Sequence, residues 1–202
     1  MTVIIDYNAG NLKSVETALR YIDEDFLISS EPDKIRNADR LVFPGVGEAA
    51  AAMKVLDDTG IGPAISEFYT KGNPLLGICL GSQIVLSNSE ESDATCLGLV
   101  PGKAVLFSGN MGLKVPHMGW NQVTHNNRHK IFSGIPENSS FYFVHSYYPN
   151  PDDDSLIIGE TEYGVKFASG ISKENLVSFQ FHPEKSGPVG LKLLKNFFKW
   201  NP

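Results

Sequence analysis

Ten residues, Pro74-Leu75-Leu76-Gly77-Ile78-Cys79-Leu80-Gly81-Ser82-Gln83, constrain this chain more than any other stretch. Leu75, Leu76 and Ile78 form a short apolar run suited to a strand buried on both faces. Cys79 then arrives between two glycines, and an apolar stretch from Leu80 to Leu86 follows at helical spacing. Gly-x-Cys-x-Gly is the thiol counterpart of a nucleophile elbow, a sharp strand-to-helix turn that pushes one reactive side chain above a sheet. Glycine suits both flanks because the backbone is strained there and a Cβ would clash. A helix beginning just after Cys79 would set backbone N–H groups and a positive dipole end beside the sulfur. It would also leave the Leu80 N–H free to hold an oxyanion. The plain alternative is a cysteine that serves as a small buried hydrophobe.

The 202 residues suit one α/β domain with a substantial core. A net charge of −6 argues against non-specific nucleic-acid binding and against an anionic membrane surface. No apolar run approaches membrane-spanning length, and Met1-Thr2-Val3-Ile4-Ile5-Asp6 offers no basic leader. Only Cys79 and Cys96 are present, so no disulfide framework is implied and free thiols fit a reducing compartment. The cytoplasm is the expected location.

The first half alternates strand and helix signals. Thr2 to Ile5, Phe26 to Ile28 and Arg40 to Phe43 read as strands, the last stopped by Pro44. Asn8-Ala9-Gly10-Asn11 has turn chemistry, and Leu12, Val15, Leu19 and Ile22 recur at helical intervals. Ala49 to Leu56 and Ile61 to Tyr69 read as two further helices. Such alternation builds a mostly parallel central sheet flanked by helices, with ligands at the carboxyl ends of the strands, where Cys79 falls.

The second half changes character. Between Gly98 and Asn121 the chain is rich in Gly and Pro, with short strand-like pieces at Lys103 to Phe107 and Leu113 to Val115. Phe141 to Val144, Ser155 to Ile158, Val165 to Ile171 and Leu176 to Phe179 are strand-like too, and predict an antiparallel extension of the sheet. Leu191, Leu194, Phe197 and Phe198 predict a closing helix over roughly Gly190 to Trp200. Asp152-Asp153-Asp154 reads as an exposed loop, with spacing ill-suited to a metal. No long linker divides the chain, so a single domain over 1–202 is expected.

Five histidines could partner Cys79: His117, His125, His129, His145 and His182. His125 and His129 lie in a polar run from Thr124 to Lys130 that reads as a solvated loop. His182 follows the apolar strand Leu176 to Phe181 and precedes Pro183 and Glu184. A carboxylate two residues on can hold one imidazole nitrogen while the other faces a thiol, the logic of a nucleophile–base–orienter triad. The alternative is a histidine that caps a strand while Glu184 pairs with Lys185. Neither cysteine has a spacing that suggests zinc, and no cofactor is implied.

Gly77 to Gln83, joined to Phe179-Gln180-Phe181-His182-Pro183-Glu184-Lys185-Ser186-Gly187, resembles the class I, triad-type glutamine amidotransferases. Three further stretches, Pro44 to Gly47, Pro116 to Asn121 and Tyr142 to Tyr148, with the opening Asp6 to Asn11, narrow the likeness. Together they resemble the glutaminase subunits of imidazole glycerol phosphate synthase, over nearly the whole chain. The resemblance implies a flavodoxin-like α/β fold and hydrolysis of the glutamine side-chain amide by Cys79, with His182 as base and Glu184 as its orienter. It implies an oxyanion hole from the Leu80 N–H and the Gly45-Val46-Gly47 loop, whose peptide can flip, making activity conditional on a partner. It places Gln83, Ser146 and Tyr147 at the amino-acid end of glutamine. Trp120, Asn121, Tyr142 and Lys185 would face a separate (β/α)8 cyclase subunit that receives the ammonia, since 202 residues leave no second domain to use it. One departure is Ser82, where the family elbow usually has Met. Paralogues that feed ammonia into amidino-sugar synthesis, a non-catalytic scaffold and a free-standing cysteine hydrolase are the alternatives.

Overall fold

The computed structural model describes residues 1–8 and 12–202. Its first half alternates β1 (Thr2–Ile5), α1 (Leu12–Tyr21), β2 (Phe26–Ser29), α2 (Pro32–Arg36), β3 (Arg40–Gly45), α3 (Ala49–Thr59), α4 (Ile61–Thr70), β4 (Leu75–Cys79) and α5 (Leu80–Ile84). Strands β5 (Leu86–Ser89), β6 (Ala94–Thr95), β7 (Val100–Leu106), β8 (His117–Val123), β9 (Ser139–His145), β10 (Tyr147–Pro151), β11 (Ile157–Tyr163), β12 (Val165–Lys173) and β13 (Leu176–Phe179) follow. Helix α6 (Gly187–Lys199) closes the chain.

A seven-stranded sheet runs β11-β12-β13-β4-β3-β1-β2. From β2 to β13 each neighbour pair is parallel, and β12 is antiparallel to both β13 and β11, which is the mixed sheet that the sequence predicts. Its central strands read as unbroken apolar runs because both faces are covered. Val3, Ile5, Leu41, Phe43 and Leu75 pack with α3 and α4, whereas Ile4, Val42, Leu76 and Ile78 pack with α1 and α6. This odd–even split follows from the two-residue period of a strand. Leu194 and Phe197 of α6 are fully buried in the second layer, so truncating either to Ala should cost about 2–5 kcal/mol.

A four-stranded sheet, β10-β7-β5-β6, and a two-stranded ribbon, β8-β9, lie beside the carboxyl ends of the main strands. The helical reading of Leu80 to Leu86 stops at Ile84, since Leu86 already pairs with Val100 in a strand. Leu113 to Val115 forms no strand; it is bracketed by Gly112, in the left-handed region at φ 68°, and by Pro116. Ser155 lies in a short turn spanning Asp154–Leu156, and the strand begins only at Ile157. His125 is buried rather than solvated: its ring stacks on Phe132 at 4.4 Å, and its backbone N–H donates to Glu137 at 2.6 Å. Turn residues Ala9 to Asn11, and with them part of the opening motif, lie outside the described residues. No helix of the described residues is long and apolar enough to cross a membrane.

Candidate active site

Strand β4 ends at Cys79, where β3 and β13 flank it. Cys79 has φ 55° and ψ −109°, a region that residues with a side chain rarely occupy. Such strain persists only where the surroundings over-determine it. One source of that constraint is Gly81, where a Cβ would overlap the Phe43 carbonyl oxygen, so α5 can lie against β3 only with glycine there. Another is Ser82, fully buried, whose hydroxyl donates to the Cys79 carbonyl at 2.7 Å. The residue that departs from the family pattern thus braces the elbow. With five residues α5 offers little macrodipole, but Leu80, its first residue, has no intrahelical acceptor for its N–H.

His182 stands where the chain leaves β13, held by its backbone N–H donating to the Tyr142 carbonyl at 2.9 Å. Ser186 adds a second clamp: it donates to the His182 carbonyl at 2.6 Å and accepts from the Tyr142 N–H at 3.0 Å. The next turn, Pro183–Lys185, brings Glu184 Oε1 to 2.7 Å from His182 Nδ1, and both side chains are almost wholly buried. A Cβ at Gly190 would overlap the Pro183 carbonyl oxygen, so glycine lets α6 dock against this turn. Glu184 therefore turns to His182 and not to Lys185. Burial opposes a charge on His182, yet its contacts with Cys79 and Glu184 outweigh that and push its pKa up to about 9. Nε2 has no hydrogen bond among the described residues and shares the cavity lining with Cys79.

A cavity of about 330 Å³ opens above Cys79, a volume in the range of small-molecule sites. Val46, Gly47, Leu80, Gln83, Val144, His145, Ser146, Tyr147 and His182 line it with the cysteine. Gly45 does not: it is the last residue of β3, paired with Cys79, and lies against the Tyr7 hydroxyl. The expected loop is shorter than the sequence suggests, with Val46 40% exposed and Gly47 at φ 104°. Gln83 lines the wall, but its amide nitrogen is already committed, donating to the Tyr147 carbonyl and to Gln180 Oε1, each at 2.9 Å. The amide of Gln180 in turn lies 3.7 Å from Cys79 Sγ.

Sequence reasoning missed Glu91, which lines the same cavity. Its Oε2 accepts from the Ala49 N–H at 2.7 Å, and burial raises its pKa despite that bond. No sequence spacing links Glu91 to Cys79; only the fold does. Also missed was the pairing of the two histidines passed over as bases. His117 Nδ1 lies 2.9 Å from His145 Nε2, and burial pushes their pKa values down to about 4 and about 3.

Around the expected partner face, Trp120 is 60% exposed and meets Tyr142, its cross-strand neighbour, edge-on at 6.0 Å. Lys185 is half-buried. Asn121 differs, for its side chain is spent on bonds within the chain. Cys96 is buried outside the cavity lining, its thiol pushed up to about 11 by burial and then by Glu91.

A strand-to-helix cysteine with an oriented imidazole above it is the arrangement of an acyl-transfer site. The family model for "Glutamine amidotransferase class-I" matches residues 3–200. The chain is 45% identical over 200 residues to the imidazole glycerol phosphate synthase subunit HisH of Dehalococcoides mccartyi, covering 98% of this chain and 97% of that one. It is 42% identical over 208 residues to the HisH subunit of Nitrosomonas europaea, covering 98% of each. The chain belongs to the class-I glutamine amidotransferases, and within them to the HisH family. Among solved structures, PurLQS from Thermotoga maritima superposes with a TM-score of 0.76 at 18% identity, over 98% of this chain and 97% of that one. A glutamine amidotransferase from the same organism gives 0.63 at 20%, over 98% and 82%. These two share the class-I amidotransferase fold seen here.

Proposed function

We propose that this chain is the glutaminase subunit of an imidazole glycerol phosphate synthase, hydrolysing glutamine to glutamate and ammonia for a separate (β/α)8 cyclase subunit in histidine biosynthesis. The observation that supports it most is the convergence of Cys79 and His182 on one cavity, with Glu184 bonded to His182, in a chain of the HisH family. Residues 1–202 work as one domain in the cytoplasm, with no cofactor and no nucleic acid.

Glutamine enters with its amino-acid end against Ser146, Tyr147 and Gln83, where Glu91 offers a carboxylate to its ammonium group. The Cys79 thiolate, its proton on His182, attacks the side-chain amide carbon. The developing oxyanion is met by the Leu80 N–H and by an N–H from the Val46–Gly47 segment. His182 passes its proton to the departing nitrogen, and the C–N bond breaks to give ammonia and a γ-glutamyl thioester. Water, deprotonated by His182, attacks the thioester; glutamate leaves and the thiolate–imidazolium pair returns. Glu184 keeps Nδ1 protonated, so that Nε2 always faces the reacting atoms.

Trp120, Tyr142 and Lys185 are the proposed contacts with the cyclase. Val46 and Gly47 form the part of the oxyanion hole that the cyclase sets. Glutamate release from the purified chain, alone and with its cyclase plus the cyclase's nucleotide ligand, tests this reading. Strong stimulation that vanishes in Cys79→Ala is expected. Full activity without a partner contradicts gating, and silence from a proven complex contradicts the glutaminase assignment.

A further inference from the structure

The Asn121 side chain links two backbone anchors. Its Oδ1 accepts from the Gln122 N–H at 2.8 Å, and its Nδ2 donates to the Glu162 carbonyl at 3.0 Å. A backbone N–H can only donate and a carbonyl can only accept, so these two bonds settle which way round the amide lies. The second proton of Nδ2 then points at His117 Nε2, 3.2 Å away, which must be the unprotonated nitrogen. At the far end, His145 Nδ1 lies 2.7 Å from the Tyr147 carbonyl and must carry a proton. His145 Nε2 is then the acceptor for the Nδ1 proton of His117 across 2.9 Å.

Every donor meets an acceptor when both rings are neutral, and only in one direction. Burial keeps the rings neutral at ordinary pH. His117 is held as well, cross-strand from His145 and sandwiched between Tyr163 at 4.0 Å and Phe143 at 4.8 Å. The chain ends on the carbonyl that also receives Gln83. It thus ends on the wall proposed to grip glutamine.

We propose that Asn121, His117 and His145 form a one-way hydrogen-bond strut, running from the β8 backbone to the Tyr147 carbonyl, that fixes the Ser146–Tyr147–Gln83 wall of the glutamine pocket. These are positioning residues, and Asn121 serves the pocket from within rather than the cyclase from outside. The inference rests on the glutaminase reading for its kinetic test, but its tautomers can be read without any activity.

The decisive contrast pits shape against donor. His117→Phe keeps the ring between Tyr163 and Phe143 but offers nothing to His145. His117→Asn loses the ring but places an amide donor where Nδ1 stood. A strut predicts that His117→Phe raises KM for glutamine about 5–10-fold, with kcat/KM falling mainly through KM, and that His117→Asn stays within about 2-fold of wild type. Packing alone predicts the reverse order, and that order would overturn the proposal. In parallel, nitrogen-15 spectra of histidine-labelled protein should show both His117 and His145 protonated on Nδ1. A proton on Nε2 of either ring would overturn it too. If wild type with its cyclase releases no glutamate, the function reading fails while the spectra still decide the strut.

Discussion

His182 and His145 are both lost from solvent, 2% and 6% exposed, and line the same cavity, yet they are driven in opposite directions. His182 is pushed up to about 9 and His145 down to about 3. Burial disfavours the charge on each, so the partners decide. His182 faces a carboxylate and a thiol, both of which reward a proton between them. His145 faces a carbonyl on one side and another imidazole on the other, which together require one proton and no charge. One site therefore holds a histidine built to carry protons beside one built to stay still.

The largest effect should come from breaking the first half of that contrast. Glu184→Gln keeps the shape of the orienter and removes its charge. Glutamate release should fall by about 10²–10⁴, as for other triads that lose this group. In the same variant the His182 pKa should drop back from about 9 towards its ordinary 6.5, read by NMR titration. An unchanged titration would show that the thiol alone supports the proton.

Wild-type kcat/KM should decline on the alkaline side with an apparent pKa near 9, about tenfold per further pH unit. On the proposed partner face, Trp120→Ala should weaken cyclase binding about 10–30-fold while leaving both histidine titrations in place, measured by calorimetry and NMR. A shift in either titration would mean that the exposed aromatic helps to build the site itself.

Stability provides the smallest and subtlest test. Because the folded pKa of His182 is raised, its contribution is full below 6.5 and is lost as pH climbs through about 9. His117 and His145 are lowered, so theirs is full above 6.5 and is lost as pH falls through about 4 and about 3. Urea midpoints should therefore fall on both sides. His145→Asn should flatten the acid limb only, and flattening of the alkaline limb instead would reverse the assignment.

The same contrast explains what the sequence makes legible. His182 could be picked out because its orienter lies two residues away and a proline fixes the path between them. Cys79 was legible because a strained turn leaves glycines on both sides. The parallel half of the fold was legible too, since β1, β3 and β4 are apolar on both faces and their helices keep strict periodicity. His145, Glu91 and Gln83 gave no such signal. Their partners are His117, Ala49 and Gln180, brought near by β8, α3 and the end of β13, and no local spacing encodes those distances. Strand β8 was hidden for a related reason: Met118, Trp120 and Gln122 face outward, so His117-Met118-Gly119-Trp120 lacks apolar alternation although it pairs fully with β9. His125 misled by composition, since its polar neighbours are exposed while its own ring is buried on Phe132.

The chain's two cysteines offer the most direct test of the central claim, that Cys79 is the group that attacks glutamine. Cys96 is equally buried but donates to the Ala94 carbonyl, and its thiol is pushed up to about 11. Treating the chain, in complex with its cyclase, with a glutamine analogue bearing a diazoketone in place of the amide should leave one adduct, located by mass spectrometry. The account predicts that adduct on Cys79, suppressed by excess glutamine and absent from Cys79→Ala. Labelling of Cys96, or labelling of Cys79 that ignores glutamine, would contradict it.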